Sequence, residues 1–258
     1  MKIILSGCGG RMGREVVRFV GAAKSGDRVV CGVDPTAEDF PFPIVQSFAR
    51  SALNDDFTLV AGEADVIIDF SHRAATRDLM AYAVRRGIPA VVAATGQTEN
   101  DRLVIRNAAR EIPVFFSANM SAGVAFLADA VRRAAEAFPE ADIEIIETHH
   151  AKKEDAPSGT ALMLAERIAE VRNGAYPVFG RHGSGVRQRG EIGIHSVRMG
   201  GEIGVHEVRV GSYNQTVTIR HEAHSRAMYA DGAIRAARWL IGKRAGLYGM
   251  DDLIGGAE

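Results

Sequence analysis

The sequence predicts an α/β protein in two parts: a doubly wound parallel sheet, followed by a second α+β domain with a mixed or antiparallel sheet. Three observations carry this. Through the first 120 residues, short apolar runs alternate with helix-patterned segments, the grammar of parallel βα units. A glycine-rich turn from Gly7 to Gly13 joins the first apolar run to the first helical segment. Beyond residue 190, three strand-like runs follow one another across short separators, which implies antiparallel or mixed pairing.

The elements follow in order. Lys2–Ser6 is a short apolar strand, and Val16, Val17, Phe19 and Val20 mark the helix after the glycine turn. Arg28–Val33 is a second strand, closed by Asp34-Pro35. The stretch Pro35–Asp56, with prolines at 35, 41 and 43, reads as a long irregular connection. Ala64–Phe70 is a third strand, followed by a helix capped at Ser71. Ile88–Ala93 is a fourth, Glu99–Glu111 a helix and Ile112–Ser117 a fifth strand. The second part opens with a helix over Ala122–Phe138 and a strand over Ala141–His150. A helix over Ser158–Val171 and an exposed Gly/Arg/Ser-rich loop over Asn173–Gly190 come next. Strands over Glu191–Met199, Ile203–Gly211 and Gln215–Glu222 precede a last helix, Ser225–Ile241, which is free to return to the first part. The expected domains are 1–120 completed by 226–258, and 121–225.

Composition narrows the class. A formal net charge of −1 over 258 residues provides no field for nucleic acid or an acidic membrane, and no apolar run approaches the ~20 residues of a membrane span. Cys8 and Cys31 give no disulfide framework, so the expected location is a reducing cytoplasm.

Gly7, Gly10 and Gly13 are spaced G-x-x-G-x-x-G between strand and helix, a variant of the dinucleotide fingerprint. Glycines let the backbone turn tightly and approach a pyrophosphate at the helix N-terminus; Arg11 or Arg14 could add charge. A tight turn without a ligand is the plain alternative, but Asp34 stands 21 residues after Gly13, where a carboxylate accepts from a ribose 2′-hydroxyl. The carboxylate repels a 2′-phosphate, and Pro35-Thr36 follow it with no cation. The reading is NADH or NADPH, with NADH favoured.

Residues 147–160, Glu-Thr-His-His-Ala-Lys-Lys-Glu-Asp-Ala-Pro-Ser-Gly-Thr, bring two imidazoles, cations and a helix N-terminus together. On a regular strand Glu147 and His149 share a face with Ile143 and Ile145, and His150 points the other way. Histidine is the usual general acid near neutral pH. Lys153 follows where the chain turns, and Ser158-Gly159-Thr160 offers helix N-terminal N–H groups and hydroxyls to an anion. Taken singly, a strand-end histidine, a charged loop and a helix cap are all ordinary. A metal set from Glu147, His149 and His150 has no familiar ligand spacing, so no metal is expected. His195, His206, His221 and His224 read as surface or packing residues. The strands around Arg198-Met199-Gly200-Gly201 read as lining a site or an oligomer face.

Nearly end to end, the chain resembles the 4-hydroxy-tetrahydrodipicolinate reductase (dihydrodipicolinate reductase) family. The resemblance rests on Gly7–Arg14, Asp69-Phe70-Ser71, Asn119–Val124, Glu144–Thr160, Arg189–Arg198 and His224-Ser225-Arg226. It implies a Rossmann-type first domain completed by the C-terminal helix, a substrate domain that forms a homotetramer through its sheet, and a small dicarboxylate substrate. Gly7, Cys8, Gly9, Gly10, Arg11 and Met12 would hold the pyrophosphate, and Asp34 the ribose. Ala93, Ala94 and Thr95, with Ser117, Ala118, Asn119 and Met120, would line the nicotinamide side. His149 would be the proton donor, His150 a substrate contact and Lys153 a second donor or carboxylate partner, with Gly159 and Thr160 on a substrate carboxylate. Two segments depart from the pattern, at three residues: Ala93-Ala94-Thr95-Gly96 stands for Gly-Thr-Thr-Gly, and Gly123-Val124-Ala125 for Gly-Val-Asn. The other readings are a homoserine or diaminopimelate dehydrogenase-like enzyme and a non-catalytic dinucleotide sensor. The His-His-x-x-Lys and Ser-Gly-Thr string argues against the first, and the intact acid–cation–anion-site cluster against the second, which the Ala93-Ala94 change keeps open.

Overall fold

The computed structural model describes residues 1–23, 25–51 and 63–255. The chain divides into two compact units, Met1–Ser121 with Arg226–Glu258, and Ala122–Ser225.

The first unit is built on a seven-stranded sheet. Its strands are β1 (Lys2–Ser6), β2 (Arg28–Val33), β3 (Ile44–Val45), β4 (Val66–Asp69), β5 (Ala90–Val92), β6 (Pro113–Phe116) and β12 (Gly246–Tyr248), in the order β12-β6-β5-β4-β1-β2-β3. Every pairing is parallel, so the central strands are covered on both faces and read as unbroken apolar runs. Ile3, Ile4, Leu5, Ile67, Ile68, Val91 and Val114 are fully buried. Helices α1 (Arg11–Ala22), α2 (Phe48–Ser51), α3 (Thr76–Arg86) and α4 (Glu99–Ala108) lie along the chain between these strands. The late helix α7 (Ala227–Leu240) returns to contact α1, β4, β5 and β6, and α8 (Met250–Ile254) follows β12.

The chain leaves β1 for β2 on one side and comes back to β4 on the other. The carboxyl ends of β1, β2 and β4 therefore meet at the switch point where open α/β sheets bind ligands. Ser6 pairs with both Val33 and Asp69, so the loops starting at Gly7, Asp34 and Phe70 emerge together.

Several expectations are corrected here. Ser71 does not cap a helix: its hydroxyl and N–H both go to the buried Asp69 carboxylate, at 2.6 and 3.0 Å. The helix α3 starts later, after a 3₁₀ turn over Arg73–Ala75. The irregular connection 35–56 contains the two-residue β3 and the short α2, and its residues 52–56 lie outside the described residues. The strand β12 and helix α8 were not anticipated. Among the described residues no helix is long and apolar enough to cross a membrane.

The second unit holds α5 (Ala122–Ala137), α6 (Gly159–Ala169) and a five-stranded sheet of β7 (Asp142–His149), β8 (Tyr176–Phe179), β9 (Glu191–Arg198), β10 (Val205–Ser212) and β11 (Gln215–Glu222). The order β11-β10-β7-β9-β8 is mixed: β7 pairs parallel with β9 and antiparallel with β10. The strands β9 and β10, neighbours in sequence, are therefore not neighbours in the sheet. Only β10 and β11 form the expected hairpin, closing at Ser212 and Gln215. The predicted exposed loop 173–190 contributes the edge strand β8.

Along β7 the burial alternates strictly, with Ile143, Ile145, Glu147 and His149 all on the buried face. On that face Ile143, Ile145, Ile192, Ile194, Val208 and Val210 form one core with Leu164 and Ile168 of α6 and Leu127 and Val131 of α5. The same face continues past this core into polar residues, which is where the site of the second unit lies.

Candidate active site

The first unit presents the glycine loop. Gly7 adopts φ +76°, a left-handed conformation that favours glycine, and its Cα lies against the Phe70–Ser71 backbone. A side chain on Gly13 would lie 2.2 Å from the Gly7 carbonyl oxygen, so this glycine allows α1 to fold back against the loop. Gly10 is the N-cap of α1 and supplies no side-chain cap, and the first turn carries no acid. The opening amides of α1 are thus left for an anion.

Asp34, at the end of β2, is buried and holds the loop. One carboxylate oxygen accepts from the Gly9 N–H at 3.0 Å; the other accepts from the Thr36 and Ala37 N–H groups, both at 3.0 Å. Cys8 is fully buried beneath the loop, and burial, then the Asp34 charge, pushes its thiol up to about 11.

A cavity of about 390 Å³ opens beside the loop. Arg11, Met12, Ala93, Ala94, Thr95, Ala118 and Met120, all expected at the cofactor, line it, together with Phe70 and Ser71. Ser117 and Asn119 do not line it. They hold the turn, with the Asn119 N–H donating to the Ser117 hydroxyl, and the Asn119 amide oxygen accepting from the Ser121 N–H at 2.9 Å. Two further lining residues, Arg226 and Tyr229 at the start of α7, were missed. Gly232 explains how α7 gets so close: a Cβ there would stand 1.7 Å from the Met120 carbonyl oxygen. Two arginines, open helix amides and an apolar wall suit an anionic dinucleotide with a flat ring.

The second unit gathers the chemical residues at the polar end of the β7 face. Strand register brings Glu147 beside Ser196 on β9 and His206 on β10, and His149 beside Arg198. Glu147 is fully buried. The Arg198 guanidinium donates to both of its oxygens at 2.8 Å, His149 Nδ1 lies 2.6 Å from Oε2, and the Ser158 N–H donates to Oε1 at 3.1 Å. Burial alone would raise the Glu147 carboxyl, but the hydrogen bonds from Arg198, Ser196 and His149 outweigh it and bring it down to about 2. Glu147 is therefore an anion at neutral pH, and it fixes the proton of neutral His149 on Nδ1. That leaves Nε2 as the unprotonated nitrogen of the neutral ring. The position beside it is Gly204, where a Cβ would lie 3.0 Å from Nε2.

Burial lowers the His149 pKa below its ordinary 6.5, opposed by Glu147 and assisted by the Lys153 and Arg198 charges. Lys153 forms a two-pronged contact with Asp155, at 2.6 and 2.8 Å. His150 lies just past the strand end, its N–H on the Glu202 carbonyl. Ser158 is the N-cap of α6: its hydroxyl accepts from the Ala161 N–H at 3.2 Å and meets His206 Nε2 at 3.0 Å. A Cβ on Gly159 would meet nothing within 4 Å, so there is open space beside the first residue of α6, with Thr160 next to it.

Two residues that the sequence did not single out for the site belong to this cluster. His206, read as a surface or packing residue, is buried, with its ring 5.2 Å from that of His149; it shares its parity on β10 with Val208 and Val210. Glu147, for which no metal role was expected, is held by Arg198 and His149. Among the described residues no group of three or more His, Cys, Asp and Glu side chains could hold a metal ion.

Taken together, a parallel sheet with a glycine-rich nucleotide loop and a second unit with an acid–imidazole–cation cluster define a pyridine-nucleotide-dependent oxidoreductase. The particular family is then settled by comparison. The family descriptions "Dihydrodipicolinate reductase, N-terminus" and "Dihydrodipicolinate reductase, C-terminus" match residues 1–120 and 123–254. The 4-hydroxy-tetrahydrodipicolinate reductase of Caldanaerobacter subterraneus subsp. tengcongensis is 41% identical over 259 residues, covering 98% of each chain. That of Thermomicrobium roseum is 41% identical over 257 residues, covering 98% of this chain and 99% of its own. The fold is shared with the dipicolinate-bound dihydrodipicolinate reductase of Paenisporosarcina sp. TG-14, with TM-score 0.81, 24% identity and 98% of each chain covered. The chain belongs to the dihydrodipicolinate reductase family.

Proposed function

We propose that this chain reduces 4-hydroxy-tetrahydrodipicolinate to tetrahydrodipicolinate with NADH or NADPH, the family's reaction in lysine and diaminopimelate biosynthesis, with the proton delivered by His149. The observation that carries the proton assignment is the buried Glu147–His149 pair at 2.6 Å.

When bound, the reduced nicotinamide supplies a hydride. The first unit holds the nucleotide: α1 amides and Arg11 take the pyrophosphate, Asp34 the adenosine ribose, and Ala93–Thr95 with Ala118 and Met120 the nicotinamide end. Ala93 and Ala94 are buried where the family pattern has glycine and threonine, which narrows this wall and removes a hydroxyl.

In the second unit, Glu147 accepts from Nδ1 and stabilises the imidazolium of His149, which presents its proton on Nε2. Gly204 leaves that nitrogen uncovered. Burial keeps His149 mostly neutral when alone; the arriving dicarboxylate favours the charged form beside it. Gly159 and Thr160 at the α6 N-terminus take one carboxylate, and Lys153 and His150 supply further contacts. Ser158 holds the α6 N-terminus against Glu147 and His206.

Asp34 tilts the cofactor choice towards NADH, because a second negative charge beside its carboxylate is unfavourable. We further infer a homotetramer through the five-stranded sheet; the exposed apolar side chains of Val197 and Met199 at the end of β9 support it, and sedimentation velocity tests it. The unpaired buried Cys8 and Cys31 suit the cytoplasm.

The test is oxidation of NADH and NADPH followed by absorbance with freshly prepared substrate. Turnover with at least one is expected, and no turnover with either would overturn the assignment.

A further inference from the structure

Gly9 has a second partner besides Asp34. Its N–H donates to the Asp34 carboxylate at 3.0 Å, and its carbonyl accepts from Arg14 Nε at 3.0 Å. An anion and a cation are thus anchored on either side of one loop residue. The Arg14 guanidinium lies over the Phe40 ring, 5.2 Å from its centroid, and Phe40 in turn stacks on Phe42 at 5.2 Å. A Cβ on Gly9 would come within 2.9 Å of the Ala37 Cβ, so the glycine loop and the segment after Asp34 touch. Arg14 is exposed and, among the described residues, makes no ion pair with a carboxylate.

The chemistry of the segment makes this arrangement informative. From Asp34 to Phe42 there is no lysine or arginine, and Glu38 and Asp39 add negative charge. By its own residues this stretch repels a 2′-phosphate. Arg14 is the cation brought to it from α1, already flattened on an aromatic ring and tethered through Nε. Such a guanidinium retains donors for a phosphate and loses little freedom on binding one.

We propose that Arg14, laid on Phe40, is a specificity-determining residue that admits the 2′-phosphate of NADPH beside Asp34, so that one site serves both nucleotides. This rests on Asp34 being the ribose contact. Asp34 accepts from the 2′-hydroxyl of NADH, and Arg14 offsets the repulsion when a phosphate replaces that hydroxyl. A cation supplied by α1 thus takes the place of one following β2.

Isothermal titration of the full chain tests this without turnover, using NADH, NADPH, 5′-AMP and adenosine 2′,5′-bisphosphate. In Arg14→Leu, the Kd for NADPH and for the bisphosphate should rise roughly tenfold, the size of one lost charge-assisted contact. The Kd for NADH and 5′-AMP should change less than about twofold, and unchanged 5′-AMP binding shows that the variant is folded. Phe40→Leu should weaken NADPH in the same direction by a smaller factor. Added salt should weaken NADPH binding more steeply in the parent chain than in Arg14→Leu. Equal losses for both nucleotides, or no loss for either, would overturn the proposal. Asp34→Asn separates the two readings: it should weaken NADH relative to NADPH. If it does and Arg14→Leu leaves the ratio alone, only the Arg14 assignment fails. If neither variant moves the ratio, the ribose reading fails as well.

Discussion

Replacing Glu147 with glutamine removes one charge and almost no volume from the centre of the second unit. Glu147 is fully buried and receives two 2.8 Å bonds from Arg198, the Ser158 N–H at 3.1 Å and His149 Nδ1 at 2.6 Å. In Glu147→Gln the Arg198 guanidinium, with 18% of its side chain exposed, keeps its charge but loses its anion. Breaking a buried pair from one side costs about 3 kcal/mol, so the thermal midpoint should drop by several degrees. The informative effect is on His149. Its pKa is already depressed by burial, and Glu147 is the group that opposes this. Losing one charge-assisted bond of about 1.5 kcal/mol lowers the imidazolium pKa by about one further unit. A general acid is lost as pH rises through its pKa, so the alkaline limb of kcat should move about one pH unit lower, with kcat near neutrality down about tenfold. The assay is kcat against pH with freshly made substrate, alongside a thermal melt. A lower melting temperature with the alkaline limb unmoved would refute the tautomer argument and leave Glu147 as scaffold alone.

Further outcomes follow from the same geometry. Burial, then the neighbouring His149, lowers the His206 pKa from 6.5 to about 4. The unfolded chain therefore binds this proton first, and stability falls as pH drops from about 6.5 to 4, by at most about 3 kcal/mol. In His206→Asn this part of the slope should disappear from urea melts run across that range; an unchanged slope would assign it elsewhere. In Gly204→Ala the new Cβ lies 3.0 Å from His149 Nε2, and kcat should fall about tenfold through misplacement of the acid, with nucleotide affinity unchanged. Parent-level kcat would show that Nε2 is not the working nitrogen.

Much of this was legible in the sequence because it is local. The strands β1 and β2 were read residue for residue, since central parallel strands are apolar throughout and end at glycine or Asp-Pro. The two-residue period of β7 put Glu147 and His149 on one face before any fold was known. What escaped depends on contacts distant in sequence. The edge strands β3, β8 and β12 are two to four residues long, too short for any period to register. The pairing of β9 and β10 was misread because β7, some forty residues earlier, lies between them. Ser71 looks like a helix cap in isolation, but a buried carboxylate two residues back takes both its donors. Asp34 was found by spacing, yet its grip on the Gly9, Thr36 and Ala37 amides shows only in the fold. It orders the loop through those three amides. Arg226 and Tyr229 line the cavity beside the glycine loop from the far end of the chain, over a hundred residues from the rest of the lining.

The central claim is that a cofactor-binding unit supplies the hydride site while His149 of the second unit supplies the proton. The most direct measurement is kcat for His149→Ala, with nucleotide affinity titrated in parallel. The account predicts a kcat reduced roughly a hundredfold or more, with the Kd for NADH and NADPH unchanged. Full kcat in that variant would contradict it.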